Sequence, residues 1–116
     1  MFHKFKNQDE RKELGGTSFI EFAYCKKKSK FNFFKKKEVL WNDDSLYIYV
    51  DDIEEFCKLY DEIINVKNIY GSNYYSKEQT KEIINLLKLK QPNDYLVLVE
   101  WLEDVKLYDG FWIYGI

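Results

Sequence analysis

The stretch LYIYVDDIEEFCKLYDEII, residues 46–64, changes its apolar period partway along. Leu46, Ile48 and Val50 alternate with Tyr47 and Tyr49, which is the two-residue repeat of a β-strand. From Ile53 onward the repeat lengthens. Ile53, Phe56, Cys57, Tyr60, Ile63 and Ile64 recur at helical spacing and leave Glu54, Glu55, Lys58, Asp61 and Glu62 on the opposite side. Asp51 or Asp52 can N-cap this helix, with Glu54 or Glu55 three residues on to complete a capping box. A strand running straight into an amphipathic helix points to a mixed fold in which helices pack on a sheet.

The remaining segments extend that pattern. In TSFIEFAYC, Ile20, Phe22 and Tyr24 alternate with Glu21 and Ala23, a strand over roughly residues 17–25 with one face buried. KFNFF and EVLW read as a hairpin whose turn lies near Lys27 to Lys30, and FWIYGI, after Asp109-Gly110, reads as a last strand. Ser76-Lys-Glu-Gln79 is a second capping box, opening a helix that turns Ile83, Ile84 and Leu87 inward. Pro92 suits the first turn of a third helix over 92–107, with Tyr95, Leu98, Val99, Leu102 and Val105 as its buried stripe, a strand at YLVLV being the alternative. Asn65 to Tyr75 reads as a loop, and residues 1–16, polar and ending in Gly15-Gly16, as a flexible N-terminal arm. The expectation is a single α+β domain over residues 1–116, a mostly antiparallel sheet of four to five strands with three helices on one face.

With Leu46, Ile48 and Val50 facing the helices, Tyr47 and Tyr49 belong to the second face of the sheet. Trp112 and Tyr114 join them there if Phe111 and Ile113 are buried. Such an aromatic patch is either a partner site or covered by the arm. Cys25 and Cys57 have no CxxC spacing, so they read as reduced thiols, Cys57 within a core, and the longest apolar runs are too short to span a bilayer. A cytoplasmic protein, monomeric when alone, is expected. The only histidine, His3, sits in the arm, and the five glycines match no phosphate-binding spacing. The paired acids at 51–52 and 54–55 are what a helix N-terminus attracts anyway. The chain therefore reads as non-enzymatic, with no catalytic residue, cofactor or metal.

Charge is divided unevenly along the chain. Residues 1–40 carry 11 basic and 5 acidic side chains and residues 41–116 carry 7 and 15, against an overall net charge of −2. Two surfaces compete as the binding site. The basic segment Lys26 to Lys37 interleaves lysines with Phe31, Phe33 and Phe34, as a nucleic-acid-binding module would, although edge strands also carry protective lysines. The acidic half sets Glu54, Glu55, Asp61 and Glu62 beside a loop bearing Tyr70, Tyr74 and Tyr75, a combination suited to a basic protein partner. In this general character residues 41–116 resemble the immunity proteins of bacterial polymorphic-toxin and contact-dependent-inhibition systems. NYYS, residues 73–76, is similar to the paired tyrosines beside acidic residues in colicin nuclease immunity proteins. The resemblance implies an antitoxin-type inhibitor that neutralises a basic toxin domain, often a nuclease, by occluding its active site.

Overall fold

The computed structural model describes residues 1–26 and 40–115. The expected hairpin of KFNFF and EVLW, residues 30–41, with its turn near Lys27 to Lys30, therefore lies outside the described residues apart from Leu40 and Trp41. The chain is an α+β fold in which the described residues build a four-stranded antiparallel sheet of order β2-β1-β4-β3, with β1 Phe19–Tyr24, β2 Leu46–Tyr49, β3 Ser72–Tyr75 and β4 Phe111–Tyr114. Among the described residues four α-helices accompany it, against the three expected: α1 Gln8–Gly15, α2 Ile53–Tyr60, α3 Lys77–Lys90 and α4 Tyr95–Glu103. Among the described residues no helix is long and apolar enough to cross a membrane.

One face of the sheet follows the sequence pattern closely. Ile20, Phe22, Tyr24, Leu46, Ile48, Phe111 and Ile113 form the main core with Phe56 and Tyr60 of α2, Ile83 and Leu87 of α3, and Leu98, Trp101 and Leu102 of α4. The rings lock by edges and stacks: Phe22 meets Phe56 edge-on at 5.6 Å, and Tyr24 stacks on Trp101 at 4.1 Å while its hydroxyl donates to the Trp101 carbonyl at 2.9 Å.

The second face corrects the arm expected at residues 1–16. Those residues dock on the sheet. Phe2 sets its edge against Phe22, Phe56 and Tyr60 in the main core, while Phe5 packs with Phe19 and Tyr47 on the other side. α1 follows, its start capped by Asn7, whose side chain accepts the Glu10 N–H at 2.9 Å. Every residue of β1 is buried, Glu21 included, where one open face was expected.

The ends of elements shift for local reasons. α2 is entered through a 3₁₀ turn, Val50–Asp52, and Asp52 makes no side-chain cap, so the capping box expected at 51–55 does not form. α2 ends at Tyr60, short of residue 64. α4 starts at Tyr95 because Asp94 is left-handed, φ 65°, leaving Pro92 in the preceding turn. The segment expected as a loop contains β3, which pairs with β4 through Ser72↔Tyr114 to Tyr75↔Phe111. Gly110 sits at φ 98°, and a side chain there would run into the Tyr75 carbonyl, so only glycine fits this turn into β4.

Hydrogen-bond parity shows how the two sheet edges are finished. The Val50 N–H donates to the Ser18 carbonyl at 3.0 Å, which makes 18/50, 20/48 and 22/46 the bonded pairs and turns the backbone of Tyr47 outward. His3 meets it there: His3 N–H to Tyr47 O is 2.7 Å and Tyr47 N–H to His3 O is 2.9 Å. At the far side the Gly115 N–H donates to the Gly71 carbonyl at 2.8 Å, so Asn73 and Tyr75 bond inward to β4 while the backbones of Ser72 and Tyr74 face outward. One edge is closed by the chain's own first residues.

Candidate functional site

The acidic residues singled out in the sequence stand where a partner can reach them. Glu54, Glu55, Asp61 and Glu62 are all exposed, because the stripe of Phe56, Tyr60, Ile63 and Ile64 pins the other side of α2 and its following turn to the core. Glu62 accepts from the Lys90 ammonium at 2.6 Å, and this bond holds its carboxyl below the usual carboxylate range. Among the described residues Glu54, Glu55 and Asp61 make no ion pair. Asp61 also acts on its neighbour Cys57, whose thiol is pushed up by burial and by the nearby carboxylate. Cys25 is buried and Cys57 half-buried, both as thiols.

The three tyrosines do not form one surface. Tyr75 is only 7% exposed, stacked on Phe111 at 4.8 Å and donating its hydroxyl to the Asn65 carbonyl at 2.7 Å. It is a core residue, not an anchor for a partner. Alternation along β3 sends Tyr74 to the opposite face, where it lies half-buried against Trp112 at 5.2 Å and donates to the Asp109 carbonyl. Tyr70 alone is open, at 73% exposure.

Its loop is nevertheless braced. Asn73, buried beneath it, accepts the Asn68 N–H at 2.9 Å and donates to the Asn68 carbonyl at 2.7 Å, while the Asn68 side chain accepts the Tyr70 N–H at 3.0 Å. A cleft of about 490 Å³ opens beside the loop, between β3 and α3, with Asn65, Lys67, Gln79 and Glu82 at its rim and Ile83 and Leu86 deeper in.

Of the competing basic segment, only Lys26 lies among the described residues, and its ammonium pairs with Asp44 at 2.9 Å. The expected patch of Tyr47, Tyr49, Trp112 and Tyr114 is largely covered: Tyr47 and Tyr114 are buried, Tyr49 and Trp112 half-buried. The part over Tyr47 is closed by Phe5 and Trp41, and Gln8 of α1 reaches the Tyr47 hydroxyl at 3.4 Å.

Sequence reasoning missed a buried polar centre under that cover. Glu21 accepts the Trp41 N–H at 2.7 Å on Oε1, and on Oε2 the Asn42 N–H at 2.8 Å, the Asn42 amide at 3.1 Å, the Ser45 hydroxyl at 2.6 Å and the Tyr47 hydroxyl at 3.2 Å. Arg11, also buried, places its guanidinium carbon 4.0 Å from the Trp41 ring centre and donates to Gln8 at 2.6 Å and to the Gly16 carbonyl. Gln8 and Tyr47 thus link a buried cation to a buried anion. With both carboxylate oxygens taken up by donors, Glu21 holds residues 41–45 in place and has little accepting capacity left for a substrate. Glu21 stands out in the sequence only as a lone acid inside an apolar run.

Among the described residues no three His, Cys, Asp or Glu side chains are grouped to hold a metal ion. No protein-family model matches the chain, and no curated protein or solved structure is significantly similar to it.

Proposed function

We propose that this protein is a non-enzymatic inhibitor of the immunity type, which captures a basic toxin or enzyme domain on the exposed face of α2 and occludes its active site. The observation that carries the reading is the line Glu54, Glu55 and Asp61, three exposed carboxylates with no ion pair among the described residues. Charge left unneutralised on a rigid helix raises the encounter rate with a basic surface and penalises acidic competitors. Tyr70 supports it. A tyrosine held out from a braced loop offers contact area at little entropic cost, and its loop follows directly from the turn bearing Asp61 and Glu62.

The test begins with the reading frame next to this gene. Its product is expected to arrest growth when expressed alone and to be neutralised when this chain is co-expressed. Neutralisation should fail with the Glu54→Lys, Glu55→Lys, Asp61→Lys triple variant and survive Lys26→Glu. A harmless neighbour, or full protection by the triple variant, would reject the proposal.

A further inference from the structure

The chain leaves α1 through a turn that favours glycine. Gly16 has φ 60° and ψ −117°, the values of the first central residue of a type II′ turn, and the Ser18 N–H closes that turn on the Gly15 carbonyl at 3.0 Å. A side chain at Gly16 would meet no described atom within 4 Å, so the constraint there is the backbone angle alone. None of Gly16, Thr17 and Ser18 is buried. The long-range partners of the segment before the turn all lie beyond it. Phe2 meets Phe22, Phe56 and Tyr60, His3 bonds the backbone of Tyr47, Phe5 packs on Phe19 and Tyr47, and Arg11 lies over Trp41.

We propose that residues 1–15 are exchangeable between two copies of this chain, each copy's segment docking on the other's sheet in a domain-swapped dimer. The occupant is fixed by the contacts just described. A second copy carries the same Phe2, His3, Phe5 and Arg11 and repeats each of those contacts, so the dimer differs from the closed chain chiefly at the hinge. The closed form requires the type II′ turn. In the swapped form residues 16–18 run extended, a backbone open to any residue, and the Ser18 bond to Gly15 is given up. Glycine at position 16 therefore keeps the closed form accessible. Behind a short linker the segment's effective concentration at its own sheet is on the order of millimolar, so a second copy competes near that protein concentration. This exchange uses residues other than the acidic face and stands whether or not that face binds a toxin.

Phe2 packs into the main core, so exchange passes through the unfolded chain and the test begins there. Isotopically labelled and unlabelled protein are mixed, unfolded together in urea and refolded at about millimolar concentration. A dimer should separate by size exclusion, and isotope-filtered NOEs within it should join His3 of one copy to Tyr47 of the other and Phe5 to Phe19. Gly16→Val, for which the type II′ turn is strained, should raise the dimer's association constant by roughly tenfold or more, because both hinges of the dimer escape that strain. A wild-type chain that refolds only as monomer at this concentration, or a dimer whose intermolecular NOEs fall on other surfaces, would overturn the proposal. So would a Gly16→Val protein that stays monomeric with a lowered melting temperature. If Gly16→Val does not fold, the wild-type dimer and its NOEs decide alone.

Discussion

Glu21 illustrates how one buried charge can organise a segment distant in sequence. Its carboxylate gathers the backbone N–H groups of Trp41 and Asn42 and the hydroxyls of Ser45 and Tyr47, and it helps hold Trp41 at a φ of 62°, a conformation uncommon for a large side chain. Glu21→Ala would leave these donors buried without an acceptor. A loss of about 3 kcal/mol is expected, read as a lower urea midpoint, with Glu21→Gln intermediate because one oxygen still accepts. An unchanged midpoint for the alanine variant would mean that residues 41–45 find other partners. Tyrosine hydroxyls give a second prediction at this scale. Burial lifts Tyr24, Tyr47 and Tyr60 above the ordinary tyrosine range and pushes Tyr75 from 10.0 up to about 12. The folded state keeps these protons to higher pH than the unfolded chain does. Their contribution to stability is thus complete below pH 10.0 and is lost as pH rises toward and beyond about 12. Phenolate absorbance should appear together with unfolding for these residues, and independent early titration of all ten tyrosines would contradict their burial.

Among the elements, α3 is the one whose start is most explicitly written. Ser76 accepts the Gln79 N–H at 3.1 Å, the Gln79 side chain accepts the Ser76 N–H at 2.8 Å, and the capping box read from the sequence is present. Ser76→Ala should cost about 1 kcal/mol, measurable as a shift in denaturant midpoint with an unchanged slope. The strand at 46–49 and the stripe of α2 were equally legible, because their partners are apolar and the repeat alone places them. α1 was not. Its sequence QDERKELG shows little apolar periodicity, and its one buried side chain is Arg11, held by Trp41 some thirty positions away. β3 was missed because one of its two inward residues, Asn73, is polar and is buried through bonds to the loop it supports and to Ile113, leaving Tyr75 alone to mark the face. Patterning reads elements that bury hydrocarbon, and these two bury polar groups through long-range partners.

For the whole molecule, the candidate site was half legible. The acidic residues were identifiable because a helix stripe fixes which side faces water, whereas Tyr70, Tyr74 and Tyr75 are neighbours in sequence and only their strand alternation sends them to different environments. Charge steering belongs to this scale as well. If the proposed basic partner binds there, reversing Glu54 and Glu55 should slow its association and flatten the salt dependence with little change in dissociation, while Tyr70→Ala should shorten the complex lifetime by roughly tenfold or more. Stopped-flow and dissociation rates would separate the two effects. The sheet order β2-β1-β4-β3 has a further consequence for how the chain is made. β4 is the last strand to leave the ribosome, yet it lies in the interior of the sheet and is the only described partner of β3. A nascent chain halted before Phe111 can pair β1 with β2 but cannot place β3 or the wall of the cleft beside it. Among the described strands, placement of β3 must therefore wait until Phe111–Tyr114 has been synthesised, so the sheet is completed late.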